Sequence, residues 1–197
     1  MATTRTKVGG VAGVLFAIVV AVLGVEGGYS NNPKDPGGET NHGVTKAVAV
    51  ENGYTASMKQ MPVEVAVEIY TKQYADKPGF TPFAELSPAV AHKLIDSGVN
   101  TGTSRPSRWL QTSLNSLSRA GKDYPQIQVD GKVGPGTVAA YRGLVKVRGK
   151  VKACELVLKA LDAQQGSYYL SLTHLSDFTV GWFDHRIGNV PLSRCKE

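Results

Sequence analysis

The segment EGGYSNNPKDPGGETNHGVT, residues 26–45, gathers Glu26, Asp35, Thr40, Asn41 and His42 among glycines and prolines. Glycine lets backbone approach a bulky substrate and adopt positive φ, so polar groups in such a loop are well placed to meet a ligand. A carboxyl group beside an apolar helix resists ionisation, whereas one in a wetter loop ionises readily. Glu26 and Asp35 fit that division, and it is the arrangement glycoside hydrolysis needs. The first donates a proton to a leaving glycosidic oxygen; the second activates water or steadies positive charge on the sugar. Competing readings are plainer: Asp35 as a turn residue before Pro36, Thr40 as a hydroxyl bonded to its own loop, and His42 as a loop residue. No second histidine or cysteine stands at ligand spacing from His42, so no metal and no other cofactor is expected.

The elements that must position these groups begin with an apolar run. Arg5 and Lys7 precede eighteen uncharged residues, Val8 to Val25. As a helix this run would extend about 27 Å, close to the roughly 30 Å hydrocarbon core of a bilayer. The flanking charges favour an inside N-terminus. A cleaved signal, a permanent anchor, a segment that enters and later leaves the membrane, and a buried first helix all remain open.

Downstream, residues 27–45 read as a long ordered loop or a short hairpin. Met61–Ala75 predicts a helix with Val63, Val67, Tyr70 and Tyr74 on one face, broken by Pro78 and Pro82. Ser87–Gly102 predicts a short helix that stops near Gly98 and offers Ala91, Leu94 and Ile95 to a core. Ser104–Gly121 places Trp109, Leu110, Leu114 and Leu117 in helical register. Turns at Asp130-Gly131 and Gly134-Pro135 precede another helix. Val151–Leu172 predicts a long helix facing inward through Leu156, Ala160, Leu161, Tyr168 and Leu172. The fold class is therefore mainly α.

The 197-residue chain carries a formal charge of +6, which attracts polyanions such as wall polymers or anionic lipid. It has no arginine-rich tract, zinc-finger spacing or RNP-like strand, so nucleic acid is not an expected partner. Cys154 and Cys195 are its two cysteines; they form either one bridge or two unpaired thiols.

Glu26, Gly27, Gly28, Tyr29, Asp35, Pro36, Gly37, Gly38, Thr40, Gly43 and Thr45 together resemble the signature of glycoside hydrolase family 108, the phage endolysins that act as N-acetylmuramidases. DSGVNTG (Asp96–Gly102) is similar to that family's DxxVNxG segment. VDGKVGPGTVAAY (Val129–Tyr141) resembles its peptidoglycan-binding-type repeat, and GWFDHRIGNV (Gly181–Val190) its closing segment. The resemblance implies a lysozyme-like α+β fold of two lobes around a cleft, with a small hairpin after the catalytic glutamate. It implies Glu26 as general acid, with Asp35 and Thr40 completing the triad and Thr45 as the fallback threonine. Tyr29, Asn41 and Asn100 are the expected substrate contacts. The implied organisation is an anchor at 1–25, a catalytic lobe at 26–100 and a second lobe at 101–197 that resembles a peptidoglycan-binding domain.

Residues 8–25 also resemble a signal-anchor-release sequence. That likeness implies a monomeric phage lysozyme, tethered to the host inner membrane with its N-terminus inside, then released to the periplasm to lyse the cell. A membrane-tethered peptidoglycan-binding protein without catalysis and a lytic transglycosylase are the alternatives, and the residues leave inversion or retention open.

Overall fold

A computed structural model describes residues 10–24, 28–31 and 38–197. Contacts divide the chain into two compact units, Met1–Lys77 and Pro78–Glu197. Helices dominate both, and the strands among the described residues form one two-stranded sheet.

The first unit opens with α1, Val11–Leu23. Leu15, Ile18, Val19, Val22 and Leu23 are its buried face, spaced as one stripe of a helix. The stripe packs on α3, Val63–Thr71, whose Ala66, Val67, Ile69 and Tyr70 are buried. The opposite side of α1 is apolar too, yet Phe16 and Val20 are exposed. At 13 residues α1 extends about 20 Å. No helix among the described residues is long and apolar enough to cross a membrane. Within residues 8–25 the described helix lays its apolar stripe on α3, as a first helix of the domain does, while Val8, Gly9 and Val25 lie outside the described residues.

Between those helices stand β1, Thr40–Asn41, β2, Val44–Thr45, and α2, Lys46–Glu51. The helical run begun by α3 continues through a π turn at Lys72–Asp76, where the backbone N–H of Lys77 donates to the carbonyl of Lys72 at 3.0 Å. Periodicity placed Val67 and Tyr70 inside correctly. It passed over Ala66 and Ile69, which complete the face toward α1.

The second unit holds α4 (Phe83–Leu86), α5 (Pro88–Thr101), α6 (Ser104–Leu117), α7 (Pro135–Arg148), α8 (Lys150–Ser171) and α9 (Thr179–Arg186). Helix α8 packs against α5, α6 and α7. Ala91, Leu94 and Ile95 are buried as expected, but α5 does not stop at Gly98. Gly98 is a packing site: a Cβ there would meet Thr103 Cγ2 at 3.3 Å. The helix ends instead at Gly102, whose φ of 79° is the left-handed conformation that glycine supplies. The inward face of α8 also differs from expectation. Ala153, Cys154, Val157, Leu158, Leu161, Gln165 and Tyr169 are buried, and of the expected positions Leu161 alone is among them. The stripe is rotated because Cys154 and Gln165 belong to it, and a helical wheel of apolar residues counts neither a bridged cysteine nor a bonded amide correctly.

That cysteine is bridged to Cys195 with a Cα–Cα distance of 5.7 Å. The bond pins the short 3₁₀ stretch Leu192–Lys196 to α8. Of the two readings left open by the sequence, the structure shows the disulfide.

Candidate active site

Glu26 and Asp35 lie outside the described residues. What the structure describes is the frame on either side of them. Thr40 pairs with Thr45 and Asn41 with Val44 in an antiparallel hairpin. His42 and Gly43 form its two-residue turn with φ of 49° and 72°, the doubly positive geometry that matches strand twist. His42 is therefore a turn residue, and among the described residues no cluster of His, Cys, Asp and Glu is suited to a metal.

Thr40 is bound on both edges. Besides the hairpin, it exchanges two backbone hydrogen bonds with Ser30, the Ser30 N–H donating to the Thr40 carbonyl at 2.8 Å and the Thr40 N–H donating in return at 2.9 Å. Ser30 and Thr40 thus stand side by side, and Asp35 falls between them in sequence. The Thr40 hydroxyl donates to the Gly38 carbonyl at 3.1 Å. Thr45, the fallback threonine, caps α2: its hydroxyl accepts from the Val48 N–H at 3.4 Å. Asn41 is buried and its side-chain N–H donates to the Met58 carbonyl at 2.7 Å, which ties the hairpin to the turn Met58–Gln60.

Tyr29 joins the same cluster through a residue that sequence reading passed over. Its hydroxyl donates to Glu39 Oε1 at 3.1 Å, and Lys46 Nζ stands 3.0 Å from Glu39 Oε2. The Lys46 ammonium first, and the Tyr29 hydroxyl second, hold the Glu39 carboxyl below its usual range. The bonded carboxylate in turn pushes the Tyr29 phenol up. Glu39 is thus an ionised carboxylate fixed at the base of the hairpin. Its signal in the sequence was its place between Gly38 and Thr40, with a lysine seven positions on. A groove of about 220 Å³ runs beside the hairpin, lined among others by Gly43, Thr45, Ile69 and Tyr70.

Asn100 lies on α5 in the second unit. With its amide turned oxygen-first, it accepts from Arg186 Nε at 2.8 Å. Arg186 also pairs with Asp96 at 2.8 Å. Asn189 donates to the other Asp96 oxygen at 3.0 Å. Lys93, fully buried, donates to the Arg186 carbonyl at 2.6 Å and to Asn189 Oδ1 at 3.1 Å, and stands 2.5 Å from Asp162. Asn100 is accordingly held within a polar network that joins α5 to α8 and to the chain after α9.

Residues 19–102 match the glycosyl hydrolase 108 family model. The chain carries a glycosyl hydrolase 108 domain. Residues 105–187 match the model described as "Predicted Peptidoglycan domain", so the family domain is followed by a second one. A solved structure titled "Structure of Brucella abortus SagA" is similar at 28% identity with a TM-score of 0.63, over 94% of this chain and 95% of that one. No curated protein matches in sequence. The protein is a glycoside hydrolase with a mainly α, lysozyme-like fold, and peptidoglycan is the polymer it acts on. The motif residues Glu26, Tyr29, Asp35, Thr40 and Asn41 all fall within the glycosyl hydrolase match.

Proposed function

We propose that the protein is a phage endolysin, an N-acetylmuramidase that hydrolyses the β-1,4 bond between N-acetylmuramic acid and N-acetylglucosamine. The observation that supports this most is that the glycosyl hydrolase 108 match contains the whole Glu26-to-Thr45 signature. In this reading Glu26 is the protonated acid. Its proton passes to the glycosidic oxygen as the bond to the anomeric carbon breaks, and the ionised Asp35 faces the positive charge that develops there. Water then adds its hydroxyl to the anomeric carbon and gives up its proton to a carboxylate. Thr40, fixed on both edges by Ser30 and Thr45, orients water or sugar, and Tyr29 and Asn41 border the substrate.

Export completes the reading. The Cys154–Cys195 bridge suits an oxidising compartment. Phe16 and Val20 leave the outer side of α1 apolar, as a segment that exchanges protein surroundings for lipid would require. The monomer would be tethered in the inner membrane and released to the periplasm, where it lyses the host.

Incubation of the purified chain with isolated peptidoglycan should release reducing sugar, and mass spectrometry should find reducing muramic ends. Glu26→Gln, folded by circular dichroism, should lose this activity by several orders of magnitude. Full activity in that variant would sink the assignment; anhydro-muramic ends would make the enzyme a transglycosylase, and binding without release would leave a non-catalytic binder.

A further inference from the structure

The 3₁₀ stretch Thr173–Phe178 and helix α9 contain no buried residue. These fourteen residues, 173–186, are held at their end by the pairing of Arg186 with Asp96 and along their length by rings. Trp182 stacks on Tyr169 with centroids 5.0 Å apart and planes 28° apart, and Phe178 stacks on the other neighbour of the series, Trp182, at 6.0 Å and 25°. The series continues through Tyr168, 5.9 Å from Tyr169, to Trp109 on α6 at 6.0 Å. Tyr169 is buried and backs the series, whereas Phe178 is 60% exposed. Scattered exposed apolar side chains need no explanation, but a continuous ladder of rings with an open outer member does.

Arg105 supplies the charged end. Its guanidinium carbon lies 4.6 Å above the Tyr168 ring and one nitrogen donates to the Thr101 carbonyl. Among the described residues it pairs with no carboxylate, so the rest of its planar fork is open to one.

We propose that this ladder is a binding shelf for the glycan strand of peptidoglycan: the open faces of its outer rings, Phe178 foremost, take the C–H faces of pyranoses, and Arg105 pairs with a carboxylate the strand carries. Three observations favour this occupant. Contiguous rings, stacked at the Trp182 end and tilted at the Trp109 end, with hydroxyl, indole N–H and guanidinium groups at their rim suit sugars, which present an apolar face and a polar edge together. The chain's charge of +6 complements a carboxylate-bearing polymer. Every member from Arg105 to Trp182 falls within the 105–187 match to a peptidoglycan domain. The shelf rests on the reading of peptidoglycan as the substrate polymer, and it adds to that reading a place on the second unit that holds the strand.

The test uses the full chain carrying Glu26→Gln, so that sacculi are not digested, and measures the affinity with which it pellets with purified sacculi. Phe178→Ala should weaken pelleting about 2- to 12-fold, the range expected of one aromatic contact. Phe178→Trp should restore it, and Arg105→Ala should weaken it and flatten its dependence on salt. Val147→Ala, an exposed position on α7, should pellet unchanged, and melting curves should show all variants folded. Unchanged pelleting in folded Phe178→Ala, or failure of the parent to pellet, overturns the shelf. So does a dimer, or adhesion to anionic vesicles, that Phe178→Ala abolishes while pelleting persists. Reducing-sugar release by the chain with Glu26 intact is measured alongside: its absence refutes hydrolysis and leaves the shelf to stand on pelleting alone.

Discussion

Arg186 Nη1 lies 2.8 Å from Asp96 Oδ1 across ninety positions of sequence, and both side chains are nearly out of solvent, at 14% and 4% exposure. The pair joins α5 to the end of α9, and Asn189 completes it by donating to the second Asp96 oxygen. Removing one member of such a pair strands the other charge in a poorly hydrated place, which costs about 3 kcal/mol. Arg186→Met should therefore lower Tm by roughly 6–12 °C for a chain of this size. Asp96→Asn in the same background should recover part of the loss, because the stranded charge goes. Equal melting of Arg186→Met and the parent would show the pair to be energetically idle.

The same pair shows where sequence reading stops. Asp96–Gly102 and Gly181–Val190 were both visible as distinctive segments, and the helices around them follow from apolar spacing. Nothing in that spacing says that the two segments bond to each other, because ion pairing across ninety residues has no period. Lys93 was hidden for a related reason. A lysine on an amphipathic helix normally faces water, and only Asp162, Asn189 and the Arg186 carbonyl make its burial tolerable. At the hairpin the glycines and Thr40 were legible, while Glu39 drew no notice until Lys46 and Tyr29 were seen to hold it. The rotated face of α8 belongs to the same class: Cys154 and Gln165 are inside because of a bond to Cys195 and a hydrogen bond from Gln165 to Tyr169.

The bridge itself carries a measurable consequence. Cys154 and Cys195 are 41 positions apart, and closing a loop of that length removes unfolded-chain entropy equivalent to about 4 kcal/mol. Cys195→Ser, or reductant, should lower Tm by roughly 8–16 °C. Expression in a reducing cytosol should yield the less stable form, and oxidation after export the more stable one. A melting temperature indifferent to reductant would show that the C-terminal turn holds to α8 without the bond.

Stability should also depend on pH through His92. Burial first, and the neighbouring Arg194 second, push its imidazole below the usual value of 6.5, with Lys93 acting in the same direction and Asp96 and Glu197 opposing. Arg194 Nη1 lies 2.7 Å from His92 Nδ1, a contact in which the neutral ring accepts and which a protonated ring would lose. The unfolded chain therefore takes up the proton before the folded one does, so the unfolded state binds more protons in the interval between the two pKa values. The contribution to stability is fully present above about pH 6.5 and is lost as pH falls from there to the folded-state pKa. Denaturant midpoints should accordingly drop between pH 7.5 and 5.5. His92→Gln keeps an acceptor for Arg194 but cannot titrate, and should flatten that drop. An undiminished drop in His92→Gln would show that His92 does not carry the pH dependence.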